Sequence, residues 1–221
     1  MAFRLSHALW PTLLTVGCAH APAPEPRPAS PRVAPLPPEQ WSPETRTLLE
    51  STVRRVSELE GREPARPLPI LTVIARHPTL LGPFIEFTGT IAARGVLARR
   101  DSELLALRVA WRCQSEFEWG HHVLYARSAD VSDDEIARVS RPDLSSGWTA
   151  RDRALLSAAD ELHARQHLSD ATWSALAQHW NEAQRVEIPF VVGQYTMLSM
   201  VAESLGVPVE PELPKLPAPA L

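Results

Sequence analysis

The residues best suited to proton chemistry lie together in one short stretch. Residues 113–122, CQSEFEWGHH, hold a thiol, a hydroxyl, two carboxylates and two imidazoles. Ser115, Glu118 and His122 lie at offsets of 0, 3 and 7, which places them along one stripe of a helix. A carboxylate and an imidazole arranged in this way can pass a proton to or from a bound molecule. This stretch is therefore the first candidate for a reaction centre.

A further carboxylate can reach this stripe from the preceding segment. Glu103 begins ELLALRVAWR, residues 103–112, which we place on a helix. A turn after that helix would fold it back and bring Glu103 towards His122. Burial beside Trp111 and Trp119 would raise the pKa values of the carboxyl groups into a useful range. The residues thus predict a crevice that holds carboxylates, an imidazole and a hydroxyl.

The same spacing also has a structural interpretation. Ser-x-x-Glu is a capping-box pattern, in which Ser115 caps a helix and Glu118 reaches back to it. Glu118 and His122 would then form an i, i+4 pair that stabilises the helix by about 0.5 kcal/mol or less. A metal site made of Glu118, His121 and His122 is a weaker alternative, because no H-E-x-x-H pattern or distant third ligand is present. We therefore predict no metal.

Neighbouring residues have simpler explanations. His121 points about 100° away from His122 on a helix and is expected at a surface or an interface. Cys113 is expected to be a small, buried apolar residue, with a reactive thiol as the alternative. Gln194 and Tyr195 can line the crevice or be satisfied by the surrounding backbone.

The elements that must position these residues are all predicted to be helices. Capping residues precede apolar repeats at Ser42, Ser132, Thr149 and Ser169, and Ser132 lies at capping-box spacing from Glu135. No alternating run flanked by hairpin turns predicts a strand. The sequence thus predicts an all-α fold of about eight helices. We place helical segments near residues 42–60, 69–76, 79–94, 101–112, 115–129, 132–139, 149–166, 169–179 and 182–205.

The last segment is apolar on nearly every side. Residues 185–207 read RVEIPFVVGQYTMLSMVAESLGV. A helix of this composition is expected to be buried on most sides, either within the domain or between subunits. Pro189, Gly193, Gln194 and Glu203 interrupt it and argue against a membrane span.

Length and charge limit the possible functions. The chain has 221 residues, a net charge of −4 and 44% hydrophobic residues, which suits one domain with appended segments. The acidic balance and the lack of a Lys/Arg stripe exclude a nucleic-acid partner. The two cysteines, Cys18 and Cys113, cannot form a C-x-x-C pair or a disulfide framework.

The N-terminal region predicts export and a lipid anchor. Arg4, an apolar run from Ala8 to Val16 and a terminal Gly17-Cys18 form the layout of a secretory signal. The run is shorter than the ~20 residues of a membrane span. TVGC resembles the lipobox of bacterial lipoproteins, which implies that Cys18 carries a lipid and that the protein lies in the periplasm or at the cell surface.

Proline-rich segments flank the helical region. Residues 19–38 hold eight prolines in twenty positions, which favours an extended tether. We divide the chain into a signal over 1–18, a proline-rich linker over 19–41, a helical domain over 42–210 and a loose tail over 211–221. In this arrangement the lipid anchor alone contacts the membrane.

The domain resembles a known family. SELLALRVAWRCQSEFEWGHHVLYARSADVSDDEIARV, residues 102–139, is similar to the carboxymuconolactone decarboxylase family, which also contains the AhpD-like alkylhydroperoxidases. The E-W-x-x-H of Glu118, Trp119 and His122 carries the likeness, and residues 192–210 resemble the end of longer members. This resemblance implies an AhpD-like helical bundle that assembles into homo-oligomers, as trimers or hexamers.

The decarboxylase branch of that family implies an enzyme that needs no metal and no cofactor. Its small-molecule substrate would be a carboxylated lactone or a similar organic acid. We assign His122 as the proton donor, Glu103 as its relay or orienting partner and Glu118 as a second acid/base group. Arg108 or Arg112 could pair with a substrate carboxylate, although both are more readily explained as surface residues. Trp119 is a further candidate for substrate contact.

The peroxidase branch uses a Glu, a C-x-x-C pair and a His. Aligning that His with His122 places the Glu on Glu103 and the two cysteines on Ser115 and Glu118, so both redox thiols are missing. Cys113 lies two residues before the first cysteine position. Three alternatives therefore stay open: an acid/base enzyme, a peroxidase-like activity through Cys113, and a non-catalytic helical oligomer that binds a small molecule or a protein.

Overall fold

The helices of the domain lie where the sequence predicts them. The computed structural model describes residues 30–60 and 66–218. These residues form nine α-helices and one short 3-10 helix, and they contain no β-strand. The 3-10 helix is Pro38–Gln40, and the α-helices are α1 Pro43–Glu60, α2 Pro69–Ile74, α3 Pro78–Arg94, α4 Arg99–Arg112, α5 Glu116–Ser128, α6 Asp133–Val139, α7 Ala150–Arg165, α8 Asp170–Ala177 and α9 Glu182–Leu205. The prediction of an all-α fold is confirmed.

Side-chain caps begin several helices at the predicted residues. Ser42, Thr149 and Ser169 each accept a hydrogen bond from the backbone N–H three residues further on. Ser132 and Glu135 form the reciprocal capping box. These bonds satisfy N–H groups that a helix start otherwise leaves without a partner.

Helix α4 is the central element of the core. Every residue from Asp101 to Trp111 is buried, and the helix packs against α5, α7 and α9. Its three leucines, Leu104, Leu105 and Leu107, are fully buried. Burial of each such side chain contributes about 2 kcal/mol to folding.

A tight reversal sets α5 beside α4. Gln114 has a φ of 54°, in the left-handed region, and the N–H of Ser115 donates to the carbonyl of Ala110 at 2.9 Å. With a rise of ~1.5 Å per residue, Glu103 lies about 14 Å before the reversal along α4, and His122 lies about 10 Å after the reversal along α5. The two side chains therefore reach the same level of the bundle.

The segments that flank the domain are packed on it over their described residues. Val33 and Leu36 contact the core from the N-terminal side, and Leu213 is buried on the C-terminal side. Gly206, with a φ of 65°, ends α9, and a Cβ added there would lie 3.2 Å from Cα of Pro31. Over residues 30–41 and 211–218 the linker and the tail thus contact the domain, because their apolar side chains find apolar surface to cover.

Helix α9 is less buried than its composition predicts. Val186, Phe190, Met197 and Met200 are exposed along one face. The expectation of burial on most sides within the domain is wrong for this face, and burial between subunits stays a prediction. No helix among the described residues combines the length and apolar character that a membrane crossing requires. The predicted signal, including Cys18, lies outside those residues.

Candidate active site

The predicted crevice corresponds to a cavity of about 120 Å³ lined by residues of α1 to α5 and α9. Ile70, Phe84, Ile85 and Leu198 are among the apolar residues that form most of its wall. Polar side chains also reach it, mainly from α5: Arg99, Glu118, His121, His122, Tyr125 and Tyr195. The cavity is thus an apolar space with a small set of ionisable groups, as is usual for small-molecule sites.

His122 lies between two carboxylates. Its Nδ1 is 2.7 Å from Oε2 of Glu103, and its Nε2 is 3.4 Å from Oε2 of Glu118. All three side chains are buried. The contact expected between Glu103 and His122 is present, whereas the catalytic roles of these residues stay a prediction.

The two carboxylates decide the charge of His122. Burial alone lowers the pKa of an imidazole, because it disfavours the charged form. Here the charge and hydrogen bond of Glu103, followed by those of Glu118, outweigh burial and raise the pKa of His122 from 6.5 to about 9. His122 is therefore an imidazolium at neutral pH, with a proton on each ring nitrogen.

Arg99 extends this row of charges from α4. Its Nη2 is 2.6 Å from Oε1 of Glu103, and its Nη1 donates to the carbonyl of Ala92 at 2.7 Å. Arg99, Glu103, His122 and Glu118 thus form an alternating series of two cations and two anions. The row is electrically balanced, which offsets part of the cost of burying charge.

Glu118 retains one carboxylate oxygen with no hydrogen bond among the described residues. This atom, Oε1, is buried. An acceptor that is buried in this way costs free energy unless a ligand or solvent donates to it. Glu118 also lines the cavity, so its Oε1 is the acceptor best placed to meet a bound molecule.

Tyr195 closes the cavity from α9. Its ring lies edge-on to the ring of His122, with centroids 4.3 Å apart. Burial, and then the negative charge of Glu103, raise the pKa of Tyr195, so the phenol stays neutral. Tyr195 lines the crevice, whereas the neighbouring Gln194 donates to Thr88 Oγ1 at 2.8 Å. The sequence left both outcomes open for these two residues, because α9 is apolar on either side of them.

His121 is not at the surface as expected. It is 2% exposed and lines the cavity beside His122. Its Nε2 lies 3.5 Å from Oε2 of Glu210, and its ring packs against Phe117 with centroids 4.6 Å apart. The sequence missed this position because Glu210 is far from His121 in the chain, and no local pattern indicates their contact.

Ser115 has the structural role that its spacing allowed. Its hydroxyl oxygen accepts from the N–H of Glu118 at the start of α5, and the hydroxyl donates to Oε1 of Glu203 at 3.0 Å. It is not among the residues that line the cavity. Only half of the expected capping box forms, because the Glu118 carboxylate lies near His122.

Cys113 also lies away from the cavity lining. Its Sγ is 3.6 Å from Nδ1 of His163. Burial is the largest effect on both side chains: it raises the pKa of the Cys113 thiol and lowers the pKa of His163. At neutral pH both groups are uncharged, so this pair is not a thiolate–imidazolium nucleophile.

The two residues expected to contact substrate lie elsewhere. Arg108 is fully buried, which corrects the expectation of a surface residue, and its Nε and Nη2 each donate to the carboxylate of Asp160 at 2.7 Å. The partly exposed Arg112 pairs with the same carboxylate. Trp119 is buried in the hydrophobic core. Neither Arg108 nor Trp119 lines the cavity, because α4 and α5 turn these side chains to other neighbours.

No group of three His, Cys, Asp or Glu side chains within the described ranges is arranged to hold a metal ion. A metal site with His122 would require Glu118 and His121 as further ligands, but both side chains contact other residues. Glu118 faces the His122 ring, and His121 faces Glu210. The chemistry that this arrangement can carry out with its own groups is proton transfer.

Comparison with known proteins agrees with this architecture. Residues 78–161 match the carboxymuconolactone decarboxylase family. These residues contain α3 to α6 and part of α7, and so hold Glu103, Glu118 and His122. No curated protein matches the sequence.

Solved structures share the fold at low sequence identity. The debrominase Bmp8 superposes with a TM-score of 0.65 at 17% identity, covering 81% of this chain and 92% of that one. A peroxidase-related protein from Silicibacter superposes with a TM-score of 0.64 at 18% sequence identity, and the match covers 87% of this chain and 96% of that one. The third is a protein of unknown function from Agrobacterium tumefaciens that is considered a candidate antioxidant defence protein AhpD. It superposes with a TM-score of 0.56 at 21% sequence identity, and the match covers 62% of this chain and 96% of that one. The helical region therefore has an AhpD-like fold, and its residues 78–161 are similar to the carboxymuconolactone decarboxylase family.

Proposed function

We propose that this domain is an acid/base enzyme that moves a proton on a small, mainly apolar carbonyl compound, using its own side chains and no cofactor. The observation that carries the proposal is the His122 imidazolium held between two buried carboxylates at the edge of an apolar cavity. The raised pKa keeps this imidazole protonated at neutral pH, so that a proton is present at the cavity.

Each group in the row has a distinct role. The free Oε1 of Glu118 accepts a proton from the carbon next to the substrate carbonyl. The electron pair of that C–H bond moves to the carbonyl oxygen, where the Nε2–H of His122 stabilises the negative charge. Glu103 holds the ring through Nδ1, and Arg99 holds Glu103. His122 or Glu118 then returns a proton to the product.

The same site favours a neutral substrate over a carboxylated one. Apart from the histidines, Arg99 is the one cationic side chain among the described residues that line the cavity, and it is already paired with Glu103 and Ala92. A substrate carboxylate would find no unpaired positive charge in the row, and it would lie near the negative charge of Glu118 in the cavity lining. In a decarboxylation, CO₂ would leave in place of the proton and His122 would protonate the same carbon.

The first experiment measures turnover of matched lactones, one with a free carboxylate and one with its methyl ester. We expect the ester to react faster, and His122→Gln and Glu118→Gln to reduce kcat at least tenfold. His179→Gln, at an exposed position, is the matched control and should leave kcat unchanged. Full activity of a folded His122→Gln protein would refute the proposal.

The structure gives no support to a peroxidase that depends on Cys113. Its thiol is uncharged at neutral pH and lies outside the cavity lining, and it is the one cysteine within the described residues. Disulfide exchange requires a thiolate and a resolving thiol. Cys113→Ser should therefore retain the activity of the parent protein in the lactone assay.

A further inference from the structure

A second cavity lies next to the first, where the N-terminal and C-terminal segments pack on α2. It has a volume of about 510 Å³ and is lined by side chains from residues 35–41, 66–72 and 208–211. We call it the outer groove. Its lining includes the exposed residues Arg66 and Pro211, so solvent reaches it.

One segment of the chain separates the outer groove from the active-site cavity. Within residues 66–72, Leu68 and Ile70 line the cavity, whereas Pro67 and Pro69 line the groove. These side chains have no group that can accept or donate a proton. The segment by itself is therefore a barrier to the movement of protons between the two spaces.

His121 and Glu210 connect the two spaces. His121 lines the cavity, Glu210 lines the outer groove, and Nε2 of His121 lies 3.5 Å from Oε2 of Glu210. Both residues are buried. A histidine can accept a proton on one ring nitrogen and release another proton from the second nitrogen, which suits it to proton transfer between two sides.

Glu210 is charged although it is buried. Burial raises the pKa of its carboxyl group, but the nearby imidazole of His121 and the charge of Arg66 outweigh burial and hold this pKa below its usual range. Glu210 is therefore a carboxylate at neutral pH. It can accept a proton from the groove and pass it on to His121.

The charged row of the active site needs a route to water. Glu103, Glu118 and His122 are at most 3% exposed. The side chain of Arg99 is 28% exposed, but a guanidinium does not give up its protons at neutral pH. A proton taken from a substrate must nevertheless be exchanged with water, and a decarboxylation consumes one proton when the substrate carbon exchanges CO₂ for hydrogen.

We propose that Glu210 and His121 pass protons between water in the outer groove and the active-site cavity. In the inward direction, Glu210 takes a proton from a hydronium ion and passes it to Nε2 of His121. His121 then releases a proton from its other ring nitrogen to an acceptor in the cavity, and the reverse steps carry a proton out. The use of this route in catalysis rests on the proposed function, whereas the passage of protons does not.

Exchange of the ring N–H protons of His122 with solvent tests the route without a substrate. The full chain with isotopically labelled histidine is transferred to deuterated water and followed by NMR. The amide in Glu210→Gln keeps the shape of the side chain but cannot carry the proton, so we expect this exchange to slow at least tenfold. Imidazole added to the solution should restore the rate, because it can carry protons from the outer groove in place of the carboxylate.

Glu212→Gln is the matched control. Glu212 lies in the same segment, is exposed and lines neither the groove nor the cavity, so the exchange rate should not change. An unchanged rate in a folded Glu210→Gln protein would overturn the proposal. A loss that imidazole does not restore would also overturn it, since it would indicate a purely structural role. If circular dichroism shows that Glu210→Gln is unfolded, His121→Gln decides by the same measurement.

A parallel measurement separates this route from the proposed reaction. During turnover of the methyl-ester lactone in deuterated water, the parent protein should place deuterium on the carbon next to the carbonyl group. Glu210→Gln should return more of the original hydrogen to that carbon. Slower ring exchange in the variant, without turnover by the parent, would support the route and refute the proposed reaction. Turnover with unchanged ring exchange would do the reverse.

Discussion

His122 keeps a proton that burial by itself would remove. Burial favours the neutral imidazole, and the carboxylates of Glu103 and Glu118 reverse that preference. Each charge in the row depends on its neighbours, because a buried charge without a partner is costly. Arg99 therefore matters to the site although it contacts Glu103 and not His122.

The raised pKa of His122 predicts a pH-dependent stability. The stabilisation from this proton is complete below a pH of about 6.5, the pKa of an unperturbed imidazole, and is lost as the pH rises through the folded-state pKa of about 9. Urea unfolding at a series of pH values should show a falling free energy of unfolding over this window. His122→Gln should remove the His122 part of this slope, and an identical slope in that variant would contradict the assignment.

The two histidines of α5 contact carboxylates from different segments of the chain. The reversal from α4 brings His122 to Glu103, and the C-terminal segment brings Glu210 to His121. That segment crosses α5 at Gly120, where an added Cβ would lie 2.9 Å from Cβ of Leu213. Gly120 thus permits the close approach of the segment that covers α5.

Gly120→Ala should therefore destabilise the protein although alanine is the better helix former. The clash with Leu213 should outweigh the gain in helix propensity and lower the free energy of unfolding by about 1–2 kcal/mol. Hydrogen exchange should also show faster opening of residues 207–216. Gly82→Ala, without a clash, should be neutral or stabilising by up to about 1 kcal/mol. Equal effects of both substitutions would argue against this role of Gly120.

On the scale of the whole chain, the described flanks form part of the domain. Both the N-terminal segment from residue 30 and the C-terminal segment contact the core, and they meet at Gly206.

We propose that Cys18 carries the lipid that anchors this chain, on the strength of the TVGC pattern after an apolar run. Expressed from its full sequence in a bacterial host, the protein should sediment with membranes and be released by detergent. Cys18→Ser should move it to the soluble fraction, and Cys113→Ser should not. Recovery of the parent protein in the soluble fraction would contradict the proposal.

Local sequence was enough to predict the helices and part of the site. Capping residues such as Ser132 and Thr149 act within one turn of their helix, so their effect is visible in the sequence itself. The spacing of Glu118 and His122 fixes their contact in the same way. The meeting of Glu103 with His122 could also be anticipated, because only one short turn separates their helices.

Only the tertiary structure decided the positions that depend on distant partners. Arg108 is buried because Asp160, 52 residues away, neutralises it, and His121 is buried because the C-terminal segment brings Glu210 over α5. The exposed face of α9 could not be predicted either, since an apolar composition does not indicate which side of a helix its own domain covers. Contacts between segments far apart in the chain depend on how the helices pack, and packing is a property of the whole fold.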